Sequence, residues 1–260
     1  MDREIVVLPD PGVVAREAAD RWVTLARESI AARGRFTAAL SGGSTPRALF
    51  SLLASEAYTD KVEWDRLLVF WSDERCVPPD HADSNYRLAH ETLLSKVSIP
   101  AGNVYRVRGE IDSGQAALEY EEAVRREVGT PTLVGSEMPA DASVPPFDLI
   151  LLGMGPDGHT ASLFPGTAAL REKKRLVAAN FVPRLNAHRI TFTPLLINAA
   201  SHVLFLVAGI DKADVLRAVL EGEFEPDVFP AQLVKPAQGQ LTWLVDRAAG
   251  AHIEQERGHH

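Results

Sequence analysis

The chain has 260 residues, a formal net charge of −8 at pH 7 and 46% hydrophobic residues. These values are typical of globular proteins and exclude general disorder, while 18 glycines and 17 prolines exclude a collagen-like or low-complexity chain. The acidic balance disfavours a general nucleic-acid-binding surface, so positive charge for an anionic ligand would have to be supplied locally.

A single cysteine, Cys76, excludes an internal disulfide framework and a cysteine-rich zinc site. We interpret Cys76 as a small buried apolar residue and not as a nucleophile. Residues 1–8 lack the features of a signal peptide, and polar residues interrupt the long uncharged stretch 190–210, so we predict no membrane span and a cytoplasmic location.

Residues 258–260 could be a vector-derived remnant, and we expect one domain over residues 1–257.

Helix-like and strand-like segments alternate along the chain. The predicted helices are 13–33, 46–57, 84–94, 113–128 and 210–220; the predicted strands are 35–40, 67–71, 147–152, 189–193, 203–207 and 241–245, with a loop over 130–146. Strands separated by helices imply an α/β, Rossmann-like fold with a mainly parallel central sheet and helices on both faces. Ligands of such sheets bind beyond the carboxyl ends of the strands, which directs attention to the loops after 40, 71, 152 and 207.

The first of these loops is Ser41-Gly42-Gly43-Ser44-Thr45-Pro46. Pro46 suits the first helical position, which makes Thr45 the predicted N-cap. Backbone N–H groups, hydroxyls and the positive end of a helix suit a phosphate, although a plain capped turn has the same features. The segment is not a P-loop, because it lacks the Gly-Lys-Ser/Thr ending.

The second loop places Asp73, Glu74 and Arg75 after a buried strand, and Ser84-Asn85-Tyr86 follows. Arg75 could bind a phosphate or carboxylate with two hydrogen bonds, and Asp73 could act as an acid or a base. Taken by itself, the segment is more simply interpreted as a solvated loop with an internal ion pair.

The third loop reads Gly-Met-Gly-Pro-Asp-Gly-His-Thr-Ala-Ser-Leu-Phe-Pro from Gly153 to Pro165. Its glycines match a dinucleotide fingerprint, but residues 171–175 do not supply the acidic strand end that a dinucleotide site needs. His159 could instead act as a general base near neutral pH, with Asp157 beside it. An isolated histidine here would more simply cap the turn.

Together with Gly209-Ile210-Asp211-Lys212-Ala213, these segments resemble, in order and spacing, the 6-phosphogluconolactonases of the glucosamine-6-phosphate isomerase/6-phosphogluconolactonase family. The resemblance extends from about Ile5 to Val245. It implies a Rossmann-like fold, hydrolysis of 6-phospho-glucono-1,5-lactone to 6-phosphogluconate in the oxidative pentose phosphate pathway, and no metal or organic cofactor.

The chemistry of such a substrate assigns roles to the loops. We expect His159 to activate water, and Asp157 to fix the imidazole or to bind sugar hydroxyls. The phosphate is expected on Ser41, Gly42, Gly43, Ser44 and Thr45, with charge from Arg75, Arg189 and Lys212, and with further substrate contacts from Asp73 and Gly155. The oxyanion donor stays open between backbone N–H groups of the third loop and a cationic side chain. Ser41 is a poor nucleophile candidate, because Gly-x-Ser-x-Gly is absent.

Two other functions remain to be separated from the lactonase. The deaminases of the family continue Asp-Gly-His with Ile-Ala-Phe-Asn-Glu-Pro, whereas this chain has Thr160-Ala161-Ser162-Leu163-Phe164-Pro165 and lacks that glutamate. A non-catalytic sugar-phosphate sensor of the same fold usually carries a helix-turn-helix segment, and we expect the fold here to begin near Ile5. The sequence predicts no oligomeric state.

Overall fold

The computed structural model describes residues 3–129, 144 and 146–254. The strands are β1 (Arg3–Leu8), β2 (Phe36–Leu40), β3 (Leu67–Trp71), β4 (Asp73–Arg75), β5 (Leu149–Leu152), β6 (Val177–Val182), β7 (Ala187–Phe192), β8 (His202–Val207) and β9 (Gln240–Asp246). The α-helices are α1 (Pro11–Arg33), α2 (Ser44–Leu53), α3 (Asn85–Ala89), α4 (Ser113–Val128), α5 (Pro194–Ile197) and α6 (Ala213–Glu221). A π-helical turn, His90–Leu94, continues α3. Short 3₁₀ turns occur at Thr59–Lys61, Trp64–Arg66, Ala101–Asn103, Ala168–Arg171, Pro183–Leu185, Ile210–Lys212 and Pro230–Leu233.

Six strands form a central sheet in the order β1-β9-β8-β5-β2-β3, and every neighbouring pair is parallel. The predicted Rossmann-like α/β class is therefore confirmed. The chain passes from β2 to β3 on one side, then returns to place β5 on the other side of β2. This reversal puts a topological switch point between β2 and β5, where open α/β sheets bind their ligands.

Both faces of the sheet are buried, because successive side chains of a strand point to opposite sides. Leu149 and Leu151 pack with α1 and α2 on one face, whereas Ile150 and Leu152 pack with α4 and α6 on the other. Burial of an aliphatic side chain of this size contributes about 1.5–3 kcal/mol. The near-continuous apolar sequence of β5 follows from this two-sided burial.

A second sheet, β4-β7-β6, is antiparallel and was not predicted. Residues 189–193 were expected as a strand of the central sheet; they lie instead in β7, which starts at Ala187 and pairs with β4 and β6. The prediction that Arg189 begins a strand is therefore wrong. β6 and β7 turn around Asn186, whose φ of 47° lies in the left-handed region that asparagine tolerates better than most residues.

Helix α2 begins earlier than predicted. Gly43 is its N-cap with a φ of 115°, a conformation that favours glycine, and no side chain caps the helix. The Arg47 amide donates to the Gly43 carbonyl at 3.1 Å, which makes Ser44 the first helical residue. The prediction of Thr45 as the cap is therefore wrong, and Pro46 lies in the first turn but not at its first position.

Two further predictions concern the segments 130–146 and 258–260 and the absence of a membrane span. Most of the predicted loop over 130–146, and the remnant at 258–260, lie outside the described residues. Across residues 3–129, 144 and 146–254, none of the helices combines the length and apolarity that a membrane crossing requires.

Candidate active site

The four loops picked out from the sequence follow β2, β3, β5 and β8, which are neighbours in the central sheet. Since parallel strands end at the same edge, the loops start side by side. Two of them, after β2 and β5, flank the switch point. The polar residues singled out in the sequence thus share one edge of the molecule.

The loop after β5 folds back on itself through its glycines. The Gly155 amide donates to the His159 carbonyl at 2.9 Å, and the Gly158 amide donates to the Gly155 carbonyl at 3.0 Å. Gly158 has a φ of 75°, which a side chain would strain. The Thr160 hydroxyl donates to the Gly153 carbonyl at 2.8 Å. These bonds fix the backbone that carries His159.

His159 and Asp157 form a hydrogen-bonded pair. Nδ1 of His159 bonds to Oδ1 of Asp157, and the His159 amide donates to the same oxygen at 3.3 Å. A neutral imidazole that donates from Nδ1 has its lone pair on Nε2, so the pair leaves Nε2 available as a base. The His159 side chain is 23% exposed, so the ring is accessible from solvent and does not point into the core.

Asp157 is held ionised by its neighbours. Burial by itself would raise the pKa of this carboxyl, but hydrogen bonds and charge from His159, together with the charge of Arg184, lower the pKa to about 2. Arg184 Nη1 lies 2.5 Å from Asp157 Oδ2. This contact is an ion pair without regular hydrogen-bond geometry, since Oδ2 accepts no well-aligned hydrogen bond from the described residues.

Arg184 and Phe164 were not identified from the sequence as site residues. Arg184 lies in the 3₁₀ turn between β6 and β7, and Phe164 lies near the end of the third loop. The Phe164 ring stacks on the His159 imidazole with 4.1 Å between ring centroids. The only sequence signal was the apolar residue at 164 in place of the deaminase glutamate.

Asp73 is a buried junction between loops. Its Oδ2 accepts from the Ser162 hydroxyl at 2.7 Å, while the Asn85 amide group donates to its backbone oxygen at 2.9 Å and to Oδ1 at 3.3 Å. Gly42 packs so closely against Asn85 that a Cβ would overlap the Asn85 amide. Because both Asp73 carboxylate oxygens are engaged within the protein, the contacts favour a structural role over the acid or base role that the sequence left open.

Glu74 is 2% exposed and organises the segment that begins α3. Its carboxylate accepts from the amides of Arg75, Asn85 and Tyr86, each at 2.8 Å, and from the Ser84 hydroxyl at 3.1 Å. Burial raises the pKa of Glu74 even though these hydrogen bonds act to lower it. The interpretation of 73–75 as a solvated loop is wrong, because Asp73 and Glu74 are buried in β4.

Arg75 and Arg189, here called the basic pair, lie directly opposite each other in the β4–β7 ladder. Arg75 donates to the Asp83 carbonyl and Arg189 to its neighbouring His188 carbonyl, and neither forms an ion pair with a described carboxylate. Burial lowers the pKa of Arg189, and the charge of Arg75 lowers it further. The pair is therefore a concentration of positive charge that a bound anion would stabilise.

The loop after β2 offers backbone more than side chains to a ligand. Gly43 and Ser44 are exposed at the start of α2, whereas Thr45 is buried. The Ser41 hydroxyl is also buried and has no hydrogen-bond partner among the described residues. This burial further disfavours Ser41 as a nucleophile.

Lys212 and Cys76 complete the sequence-derived candidates. Lys212 ends the 3₁₀ turn after β8, and its Nζ pairs with Asp211 at 2.8 Å; within the described part of the chain, it forms no ion pair with Asp157. Cys76 is half-buried, so it is not the fully buried core residue that the sequence suggested. Burial raises the pKa of its thiol, which does not suit a nucleophile.

In the described ranges, no three His, Cys, Asp or Glu side chains are grouped to hold a metal ion.

The fold and the site define an α/β protein with a histidine–carboxylate pair and a basic pair at the carboxyl edge of its sheet. A family model described as glucosamine-6-phosphate isomerases/6-phosphogluconolactonase matches residues 9–243, and the chain belongs to this family.

Three relatives that cover most of the chain are named 6-phosphogluconolactonase. A rice protein, probable 6-phosphogluconolactonase 3, chloroplastic, is 42% identical over 91% of this chain and 72% of its own length. A 6-phosphogluconolactonase of Nostoc is 41% identical over 97% of this chain and 99% of its own. The solved 6-phosphogluconolactonase from Trypanosoma cruzi superposes with a TM-score of 0.83 at 31% identity, covering 98% of each chain. The prediction that the chain is an enzyme of the lactonase branch is confirmed by these relatives.

Proposed function

We propose that this protein hydrolyses 6-phospho-glucono-1,5-lactone to 6-phosphogluconate, with His159 as the general base. The relatives named 6-phosphogluconolactonase support the lactone and its place in the pentose phosphate pathway. The observation that carries the catalytic role is the bond from His159 Nδ1 to Asp157, because it directs the basic Nε2 away from the carboxylate. The proposed location is the cytoplasm.

In the proposed reaction, His159 first takes one proton from water and later gives it to the ring oxygen of the lactone. Nε2 takes a proton from water as the water oxygen bonds to the lactone carbonyl carbon, and the carbonyl oxygen becomes an oxyanion. The oxyanion then collapses, the bond from that carbon to the ring oxygen breaks, and the imidazolium returns the proton to the ring oxygen. The new carboxylic acid loses its own proton to solvent. A positioned base of this kind contributes about 10²–10⁴-fold.

The phosphate of the substrate is the remote handle that orients the ring. The basic pair, the exposed amides at the start of α2 and Lys212 are the proposed phosphate-binding groups. Binding energy at the phosphate holds the carbonyl near Nε2 without taking part in bond making. The basic pair is the best supported of these groups, because neither guanidinium forms an ion pair with a described carboxylate, whereas Lys212 is paired with Asp211.

A cationic side chain is the better candidate for the oxyanion donor. Three amides of the third loop, those of Gly155, Gly158 and His159, already donate within the loop, and Pro156 has none. These three N–H groups are therefore not free to stabilise an oxyanion. Arg75 or Arg189 can supply a guanidinium N–H from the neighbouring sheet.

The deciding experiment is turnover of freshly generated 6-phosphogluconolactone, measured above spontaneous hydrolysis. We expect rapid hydrolysis by the wild-type protein, a fall in kcat of about 10²-fold or more for His159→Ala, and unchanged binding of 6-phosphogluconate. Wild-type kcat in that variant would remove His159 from the base role.

The same assay separates the other two functions. Glucosamine 6-phosphate is the control substrate, and release of ammonia from it would support a deaminase. Binding of the sugar phosphate without hydrolysis by the wild-type protein would support a sensor. Lactone hydrolysis without ammonia release is the expected result.

A further inference from the structure

One arginine outside the predicted site lies against its centre. Arg184 is in the turn between β6 and β7, followed by Asn186 in the left-handed conformation. Its Nη1 is 2.5 Å from Asp157 Oδ2, and its guanidinium carbon is 4.7 Å from the centre of the Phe164 ring. Arg184, from the turn between two strands of the second sheet, therefore contacts the loop that carries His159.

Four side chains form a closed cycle of contacts. His159 bonds to Asp157, Asp157 pairs with Arg184, Arg184 lies over Phe164, and Phe164 stacks on His159 with an interplanar angle of 23°. Phe164 is 5% exposed, so its ring is a fixed surface. Each member of the cycle touches two others, which restricts the rotation of the imidazole more than the carboxylate alone would.

We propose that Arg184 and Phe164 act as a clamp that positions the His159–Asp157 pair for catalysis; this inference rests on the proposed lactonase function. Arg184 occupies Oδ2 of Asp157, which leaves Oδ1 turned toward Nδ1. Phe164 covers one face of the imidazole. The clamp residues are positioning residues, because they act through His159 and not on the substrate.

The position of Phe164 gives the clamp a second consequence. In the resemblance drawn from the sequence, this position holds the glutamate of the deaminase branch. A carboxylate there would accept from Arg184 and compete with Asp157 for it, whereas an aromatic ring binds the guanidinium by a cation–π contact without removing its charge. Phe164 therefore leaves Arg184 free to pair with Asp157.

Arg184 also partly neutralises the negative charge of Asp157, which faces the imidazole. His159 and Arg184 are the charged groups that face this carboxylate among the described residues. Without Arg184, the full negative charge would act on the ring and stabilise the imidazolium, which is not a base. Loss of Arg184 is therefore expected to weaken His159 as a base.

The test compares kcat, KM and the kcat–pH profile of Arg184→Gln, Arg184→Lys and Phe164→Leu. For Arg184→Gln we expect a fall in kcat of about tenfold, KM changed by less than about twofold, and the acidic limb moved up by roughly half a pH unit. Arg184→Lys keeps the charge and should recover most of kcat. Phe164→Leu stays apolar but loses both ring contacts, and should lower kcat.

The matched control is Arg66→Gln. Arg66 is 57% exposed in its side chain, close to the 50% of Arg184, and pairs with Asp65 at 3.7 Å at the opposite edge of the sheet. We expect wild-type kinetics from it. A rise in KM with unchanged kcat for Arg184→Gln would overturn the positioning role and indicate substrate binding, and no change in any parameter would overturn the clamp outright.

A second readout does not depend on activity. The Cε1–H resonance of His159 should move in the NMR spectrum of Arg184→Gln and stay in place in Arg66→Gln, because the imidazole loses its fixed surroundings; an unchanged resonance in Arg184→Gln would contradict the clamp. If the wild-type protein failed to hydrolyse the lactone, the proposed function would fail, while this resonance would still test the clamp.

Discussion

The backbone of Gly155 lies directly against the imidazole of His159. A Cβ at position 155 would overlap Nδ1 and Cε1 of the ring and would come within 2.8 Å of Asp157 Oδ1. The imidazole thus lies against the Gly155 backbone and also stacks on the Phe164 ring. Gly155 is therefore required for the close approach of the base to its loop.

Gly155→Ala should lower kcat by about 10²-fold, because a displacement of the base by about 1 Å costs a factor of this size. Steady-state kinetics on the fresh lactone would measure it. Gly153→Ala is the control: it lies in the same loop, no atom is within 4 Å of its Cβ position, and it has no positive φ. Equal losses in both variants would show that the loop, and not the imidazole contact, is sensitive.

The lowered pKa of Asp157, about 2 against an ordinary 3.8, makes the stability of the protein depend on pH. The folded state binds this proton less readily than the unfolded chain, so the stabilisation is fully present above about pH 4 and is lost as pH falls toward 2. Its upper limit is about 2 kcal/mol, and about 1 kcal/mol after screening by solvent.

Asp157→Asn should therefore reduce the free energy of unfolding at pH 5, and the difference from the wild-type protein should shrink toward pH 2.5. Urea denaturation at the two pH values measures this. A difference that stayed constant would show that the charge of Asp157 does not stabilise the fold.

Arg189→Met removes one of the two positive charges of the basic pair while keeping a side chain of similar length. It should raise KM for the lactone by about tenfold or more and weaken inhibition by inorganic phosphate. A small change in kcat is expected if Arg189 binds the phosphate. A large loss of kcat with little change in KM would instead assign Arg189 to the oxyanion.

Glu74→Ala should destabilise the fold by about 3 kcal/mol or more, because it leaves several buried donors without an acceptor. Thermal unfolding measures the loss. Glu74→Gln keeps one carbonyl acceptor and should cost less. If the Glu74→Ala variant were as stable as the wild-type protein, the Glu74 carboxylate would not be the group that stabilises the start of α3.

Some elements could be predicted to the residue. The strand 67–71 and the helix 113–128 match β3 and α4, because the first is an uninterrupted apolar run and the second is capped by Asp112, which accepts from the Gln115 amide at 3.0 Å. Prediction failed for β4 and β6. β4 has three charged residues, and β6 is half-exposed, so neither has the apolar pattern of a buried strand.

The sequence by itself determined the α/β class and the loop that carries Asp157 and His159, because buried strands and glycine-rich turns can be recognised from local composition. Only the tertiary structure decided which charges meet. Arg184 pairs with Asp157 and Arg189 faces Arg75 because a second, antiparallel sheet brings distant segments to the edge of the first. The partners of a charged side chain depend on the path of the chain in space, and local sequence does not record that path.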